Sequence, residues 1–246
     1  MILYNSLPFN FKHFKDNTLD LTVNPYMVSS KHIIHWYYEN NEELLALYYL
    51  VKHIKSKSRN PIHLIMPYIP GSIYDKPQTE DNIYTLKYFC EFINSLGLEK
   101  IRILDPYSYV SVALLNNAEI FDIQPYITAA CDKTLSENLY IYFPTETEEN
   151  RYKLYVNKPI LGREINHDVA GRDILIMMNY AISSDEEIAA IAQKLQECGA
   201  SNIFLYATHY KHIENKNYLD IFNKIFTTNS IKTTIENEKI VIVGGP

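Results

Sequence analysis

The fold of the chain is decided by residues 62–105, which read IHLIMPYIPGSIYDKPQTEDNIYTLKYFCEFINSLGLEKIRILD. The stretch begins with a short apolar run, Ile62 to Met66, that is typical of a buried strand. A loop rich in proline, Pro67 to Gln78, leads into apolar residues at helical spacing from Thr79 to Leu96. A second apolar run follows at Ile101 to Leu104. This order of strand, helix and strand predicts a βαβ unit with parallel strands and a right-handed crossover.

The alternation of helices and strands continues on both sides of this unit. Upstream, Asn40 and Asn41 are residue types that cap helices, and the apolar spacing behind them predicts a helix that ends in Lys57. Downstream, the sequence predicts strands at Leu139–Phe143, Ile174–Met178, Ile203–Tyr206 and Ile240–Val243, and helices from Ser184 to Cys198 and from Tyr218 to Phe226. The pattern favours two α/β lobes, 1–126 and 127–246, each with a central parallel sheet flanked by helices.

The composition excludes several classes of protein. Apolar residues make up 47% and charged residues 21% of the 246 residues, which is typical of a globular protein rather than a disordered or fibrous one. The net charge of −6 disfavours nucleic acid as a partner, and no apolar run reaches the roughly 20 residues of a membrane helix. The sequence begins without a signal-peptide pattern, and its three cysteines are too widely spaced for a disulfide ladder or a paired metal site. We therefore expect a cytoplasmic protein.

Ligands of parallel sheets bind beyond the carboxyl ends of the strands. The loops after Met66, Asp105, Phe143 and Met178 are therefore where a site is expected. The glycine count bears on the kind of site, because the chain has only 7 Gly where an average usage of about 7% would give roughly 17. Phosphate-binding loops need glycine where the backbone approaches the anion closely. The low count argues against intact loops of this kind.

Segments around these loops carry a family resemblance. In the first half they are Met66 to Pro70, Thr85 to Leu96, and Leu104-Asp105-Pro106 with Ser108. In the second half they are Gly171 to Ile176, Gly199-Ala200, Ala207-Thr208-His209 and Thr228 to Ile231, in matching order and spacing. Together these segments resemble the ribose-phosphate pyrophosphokinases (PRPP synthetases), and most of all the divergent branch found beside NAD-salvage genes in phages and bacteria. The resemblance covers most of residues 14–231.

This resemblance implies a repeated type I phosphoribosyltransferase fold, so that each lobe should be phosphoribosyltransferase-like. Members of the family transfer pyrophosphate from Mg-ATP to the anomeric hydroxyl of ribose 5-phosphate. Such chemistry depends on positioning and on charge neutralisation by metal ions, ribose-binding acids and backbone N–H groups. We expect no resident metal site, and Mg²⁺ and ATP are expected as cofactors only if this activity is retained.

The loops that would hold ribose 5-phosphate and pyrophosphate depart from the family pattern. Where the family has two adjacent aspartates, this sequence has Met178 and Asn179, and the following turn contains Ser183 and Ser184 but no glycine. We interpret these four residues as a vestigial substrate-binding loop. Residues 143–151 replace the glycine-bearing pyrophosphate loop and carry three glutamates, which would repel bound pyrophosphate.

The nucleotide-binding side is retained in part. Phe14 and Asp16 match the adenine-side loop of the family, and Asp75 and Lys76 match the segment that contacts the nucleotide. The arginine of that segment is replaced by Ile73.

The candidates for catalysis are also vestigial. They are Lys158, which matches the lysine of a flexible arm, together with Asp105 and His209. The family's metal-ATP histidine after Asp105 is replaced by Tyr107. His209 has a structural interpretation as well, as a histidine at a strand end held by local hydrogen bonds.

Three functions are compatible with this pattern. The leading hypothesis is a PRPP synthetase-like protein that has lost catalysis and acts as a binding, regulatory or assembly subunit. The alternative is an active variant that transfers pyrophosphate to ribose 5-phosphate or ADP-ribose, and the third is a nucleotide sensor that uses one surviving lobe. The expected partners are a second copy or an active homologue, and a phosphorylated or nucleotide ligand, but neither nucleic acid nor a membrane.

One helix bears on assembly. Tyr37, Tyr38, Tyr48 and Tyr49 lie around this helix and the residues that lead into it. A helix that is apolar nearly all round is usually buried on more than one side. This favours a helix that packs either between subunits or between the two lobes.

Overall fold

The computed structural model describes residues 1–23, 30–77, 79–182, 186–212, 220–232 and 237–246. The chain divides into two compact units, Met1–Phe121 together with Pro246, and Asp122–Gly245. Within the described residues no helix is long and apolar enough to cross a membrane.

Unit 1 is built on a six-stranded sheet. Its elements are β1 (Ile2–Tyr4), β2 (Leu7–Pro8), β3 (Phe11–His13), β4 (Leu19–Leu21), β5 (His32–Trp36), α1 (Glu42–Lys57), β6 (Ile62–Ile65), α2 (Thr85–Ser95), β7 (Lys100–Leu104), α3 (Tyr109–Leu114) and β8 (Ala118–Phe121). The strand order is β2-β1-β5-β6-β7-β8, while β3 and β4 form a separate antiparallel hairpin. Strands β5 to β8 are parallel, and β1 pairs with β5 in the antiparallel sense.

Helices α1 and α2 pack against one face of this sheet. Leu47 of α1, Cys90 of α2 and Leu64 of β6 belong to one apolar core and are fully buried. The start of α1 is fixed by the side chain of Asn40, which accepts the backbone N–H groups of both Glu42 and Glu43. Acids in this first turn suit the positive end of the helix dipole.

Unit 2 is built on a five-stranded sheet in which every strand is parallel to its neighbours. Its elements are α4 (Gln124–Lys133), β9 (Leu139–Tyr142), α5 (Glu146–Tyr152), a 3₁₀ turn (His167–Val169), β10 (Asp173–Ile182), α6 (Glu186–Glu197), β11 (Asn202–Lys211), β12 (Lys224–Thr227) and β13 (Ile240–Ile242). The strand order is β13-β12-β11-β10-β9. Both units are therefore α/β, with parallel-rich sheets flanked by helices, as the sequence predicts.

Two predicted helices differ from the structure. The helix predicted from Thr79 begins only at Thr85, because Asn82 accepts the N–H of Thr79 in a local turn that competes with helix formation. The helix predicted from Tyr218 to Phe226 is wrong over its last residues, which form β12. Ile225 and Phe226 of β12 are both fully buried, and a strand covered on both faces lacks the alternating pattern that identifies strands. Tyr218 itself lies outside the described residues.

The histidines of unit 1 predict a pH-dependent stability. Burial lowers the pKa of His32, His35 and His63 below the ordinary value, and Lys31 and Lys100 lower that of His63 further. The unfolded chain therefore binds more protons than the folded chain once the pH falls below about 6.5. The stability contributed by the neutral imidazoles is present above that pH and is lost as the pH falls towards the lowered pKa values.

We expect a lower Tm at pH 5 than at pH 7.5, measured by circular dichroism. His63→Gln should make this difference smaller, whereas His53→Gln, a control at an exposed position of α1, should leave it unchanged. A Tm that is equal or higher at pH 5 would contradict the prediction.

Candidate functional site

The carboxyl ends of the unit 2 strands carry a buried polar cluster. We call it the edge cluster, and it consists of Tyr152, Tyr206, Thr208, His209, Thr228 and Ser230. Each of these side chains is at most 2% exposed. Polar groups so deeply buried are costly unless they are hydrogen-bonded, so their partners decide what the cluster can do.

Thr208 is the centre of the edge cluster. Its hydroxyl lies 3.3 Å from the hydroxyl of Tyr152 and 3.2 Å from that of Tyr206. Its backbone carbonyl accepts the hydroxyls of Thr228 at 2.7 Å and Ser230 at 3.0 Å. The hydroxyl groups therefore satisfy one another and the backbone at the end of β11.

His209 is held by the same cluster. Its Nδ1 lies 2.8 Å from Oγ of Ser230, and that hydroxyl also lies 3.0 Å from the backbone carbonyl of Thr208. Which of the two atoms donates in the His209–Ser230 hydrogen bond depends on the tautomer of the imidazole. The structure thus favours the structural interpretation of His209, as a strand-end histidine held by local hydrogen bonds.

The segment that stands in place of the family's pyrophosphate loop, residues 143–151, is a helix from Glu146 onward. Thr145 caps α5 by accepting the N–H of Glu148 at 3.2 Å, and Glu146, Glu148 and Glu149 occupy the first turn. Acids are favourable at this end of a helix because of its dipole. The three glutamates therefore stabilise the start of a regular helix in the segment that stands in place of the family's pyrophosphate loop.

The side chain of Glu148 contacts β10, the strand that leads to the expected substrate loop. Its Oε1 accepts the backbone N–H of Asn179 at 3.2 Å, and its other carboxylate oxygen lies 3.8 Å from Nε of Arg151. The Glu148 side chain is only 12% exposed. A carboxylate therefore occupies the place beside β10 where the resemblance implies ligand-binding groups.

Met178 and Asn179 lie within β10 rather than in a loop. The strand was expected to end at Met178, but it pairs with β11 as far as Ile182, which lies beside Lys211. The side chain of Asn179 is fully buried. The other two residues of the expected substrate loop, Ser183 and Ser184, lie outside the described residues.

The residues singled out in unit 1 lie on three separate segments. Phe14 is 56% exposed next to β3, and Asp16 sits in the turn between β3 and β4. Hydrogen bonds from the hydroxyl and the N–H of Thr18 lower the pKa of Asp16. The carboxylate of Asp16 is thus engaged in its own turn.

Asp75 and Lys76 lie in the loop after β6. A pocket of about 250 Å³ in this loop is lined by Tyr74, Lys76, Pro77, Asn82, Ile83, Tyr84 and Thr85. The backbone carbonyl of Asp75 accepts the hydroxyl of Tyr84 at 2.6 Å. Lys76 therefore lines a pocket, whereas Asp75 helps to shape the loop around it.

Asp105 follows β7 and is 6% exposed, with a positive φ of 41°. A non-glycine residue in this left-handed region is uncommon, and aspartate tolerates it better than most. Tyr107 beside it is 40% exposed, and the hydroxyl of Ser108 caps α3 by accepting the N–H of Val110. Asp105 is placed at the carboxyl edge of the sheet, as the sequence predicts.

Lys158 lies near α4. The half-buried Lys158 acts electrostatically on Cys131, whose thiol pKa is raised to about 11 mainly by burial. Among the described residues no three His, Cys, Asp or Glu side chains are arranged to hold a metal ion.

The contributions of Glu148, Tyr152 and Tyr206 were not predicted from the sequence. A local signal was present for Glu148, because Thr145 followed three residues later by glutamate is the capping-box pattern of a helix start. No local signal marks Tyr152, since its partner Thr208 is 56 residues away, whereas Tyr206 lies only two residues before Thr208.

Comparison with known proteins yields a likeness of structure alone. No family model matches the chain, and no curated protein matches it. Among solved structures, the chain is similar to the phosphoribosylpyrophosphate synthetase from Mycobacterium smegmatis, with a TM-score of 0.76 and 14% identity over 96% of this chain and 86% of that one. The chain therefore has a fold like that of a PRPP synthetase.

Proposed function

We propose that the chain is a cytoplasmic PRPP synthetase-like protein that has lost pyrophosphoryl transfer and acts as a binding, regulatory or assembly subunit. The observation that carries this proposal is the contact between Glu148 and the backbone N–H of Asn179. The Glu148 carboxylate, which is 12% exposed, takes up a backbone donor within β10, and Arg151 at 3.8 Å offsets part of its charge. A carboxylate at this donor opposes the binding of an anionic substrate there.

The neighbouring groups support the same conclusion. His209 of the edge cluster is 2% exposed and is hydrogen-bonded to Ser230, so its Nδ1 already has a partner inside unit 2. Met178 and Asn179 supply no carboxylate for ribose hydroxyls. Pyrophosphoryl transfer needs cations and backbone donors around several negative charges, and these residues offer neither.

Isothermal titration calorimetry tests the binding side of the proposal. We expect ribose 5-phosphate to give no saturable heat at concentrations up to about 1 mM, with or without Mg²⁺. A dissociation constant above this concentration corresponds to a binding free energy of less than about 4 kcal/mol in magnitude. ADP-ribose should behave in the same way, because it presents the same ribose and phosphate groups.

The outcomes of this titration separate the three functions. Saturable, Mg²⁺-dependent binding of ribose 5-phosphate or ADP-ribose would contradict the proposal and favour an active variant enzyme. Saturable binding of ATP alone, at the pocket lined by Lys76, would favour the third function, a nucleotide sensor. Lys76→Ala should abolish that heat, and Lys87→Ala, at an exposed position of α2, is the matched control.

A further inference from the structure

The outer side of the α1–α2 pair carries a patch of apolar and aromatic side chains. We call it the tyrosine patch, and it consists of Leu45, Tyr48 and Tyr49 of α1 and Tyr88 and Phe92 of α2. Leu45 is 46%, Tyr49 44% and Tyr88 55% exposed. The rings are contiguous, because Tyr48 lies 5.9 Å from Tyr49 and 6.3 Å from Phe92 between ring centroids.

Tyr48 and Phe92 of this patch also pack against the core of unit 1, whereas Leu45, Tyr49 and Tyr88 remain exposed. The opposite side of α1 supplies Leu47, Leu50 and Val51, each at most 1% exposed and packed into the apolar core. Helix α1 is thus apolar on two sides, whereas a surface helix normally carries polar residues on its outer side. A contiguous exposed patch rich in tyrosine is typical of a protein–protein contact.

The charges along α1 indicate which partner fits. Glu42, Leu45, Tyr49 and Lys52 follow each other at intervals of three or four residues and so share one stripe of the helix. Glu42 is 40% exposed at the start of the stripe and contacts His13. Lys52 lies at the other end, with its ammonium group 5.3 Å from the ring centroid of Tyr48.

Two copies of this stripe are complementary to each other when they run in opposite directions. If two copies of α1 lie antiparallel about a two-fold axis midway between Leu45 and Tyr49, Leu45 of each copy meets Tyr49 of the other. The same axis places Glu42 of each copy opposite Lys52 of the other, because both pairs of residues are centred on the same position of the helix. A two-fold contact of this kind is the commonest form of self-association.

We propose that the tyrosine patch is the interface of a homodimer, formed by antiparallel packing of α1 against α1 of a second copy. The inference rests on the assembly role in the proposed function and names its surface. A helix length of about 24 Å and a spacing of about 10 Å between helices give a footprint of roughly 240 Å² per copy for the helix pair. That is well below the roughly 800 Å² per partner of a stable complex, so the dimer should be weak and should dissociate at micromolar concentrations.

Light scattering after size-exclusion chromatography tests the interface. At about 100 μM the full chain should have close to twice the mass of 28.7 kDa, and dilution to about 1 μM should yield the monomer. Leu45→Glu with Tyr49→Glu should give a monomer at both concentrations. Leu154→Glu, a control at a position that is 87% exposed in unit 2, should dimerise like the unaltered chain. Circular dichroism melting of each variant shows whether it remains folded.

A charge exchange gives a second readout that does not depend on the double glutamate variant. Lys52→Glu should weaken the dimer at least tenfold, and adding Glu42→Lys to it should restore most of the loss. A monomer at 100 μM, or a dimer that tolerates the changes at Leu45 and Tyr49, would overturn the interface. Either result leaves the proposed loss of turnover standing, since turnover is measured separately on the unaltered chain.

Discussion

Purified protein mixed with ribose 5-phosphate, ATP and Mg²⁺ is expected to form no PRPP above a control without protein. Enzymes typically turn over between 1 and about 1,000 times per second, so we expect a loss of at least about a thousandfold from the lower end of that range. The reason is that the reaction needs donors around several negative charges, whereas the Glu148 carboxylate already occupies the backbone N–H of Asn179 in β10. Phosphorus NMR or a coupled phosphoribosyltransferase assay measures the product.

A positive control and a double variant accompany this experiment. An active PRPP synthetase in the same buffer is the positive control for the assay. The double variant Met178→Asp with Asn179→Asp should stay inactive, because Glu148, Ile73 and Tyr107 are unchanged and catalytic groups that act as a unit are not additive. Turnover of the unaltered chain at even a few per second would contradict the loss of catalysis. Turnover of the double variant alone would show that the acid pair is the only missing part.

The elements predicted well are those whose signal is local. Helix α1 combines capping side chains, acids in the first turn and an apolar stripe, and the structure has it from Glu42 to Lys57. Strand β6, between a breaker-rich loop and the end of α1, matches its apolar run to within one residue. The parallel arrangement follows from the βαβ order and is present in both sheets.

The elements that were missed depend on residues far away in the sequence. The strands before Trp36 are two to five residues long, and β1 is stabilised by antiparallel pairing with β5, about 30 residues later. Strand β10 extends to Ile182 because β11 extends beside it. A window of sequence around Met178 cannot show this, since the partner strand supplies the hydrogen bonds.

In the candidate site, too, features with a local sequence signal were predicted and features that depend on distant residues were not. Asp105 was placed correctly at the carboxyl edge of a strand, because strand ends are visible locally. The contact of Glu148 with Asn179 joins residues 31 positions apart, and it depends on α5 being a helix at the edge of β10. Acidic residues at 146–149 indicated an altered anion site, but their engagement within the fold required the structure.

Replacing Tyr152 by alanine is expected to destabilise unit 2 severely. Tyr152 ends α5 and is fully buried, with its hydroxyl 3.3 Å from that of Thr208 and its ring 6.4 Å from that of Tyr206 in an edge-to-face contact. Removing a buried aromatic ring costs about 3–5 kcal/mol. This is a large part of the roughly 5–15 kcal/mol that stabilises a typical domain. Urea unfolding followed by circular dichroism measures the change.

Two control variants connect this stability measurement to the site. Tyr152→Phe keeps the ring and loses one hydrogen bond, so it should cost only about 1 kcal/mol. Tyr155→Ala removes a tyrosine of the same segment that is 37% exposed, and it should cost well under half as much as Tyr152→Ala. The relative losses of unfolding free energy in the three variants test whether Tyr152 anchors α5. This helix brings Glu148 into contact with Asn179 of β10. If Tyr152→Ala cost less than about 1 kcal/mol, α5 would not be fixed by packing. The segment could then open to admit an anion, and the carboxylate of Glu148 would no longer account for a closed site.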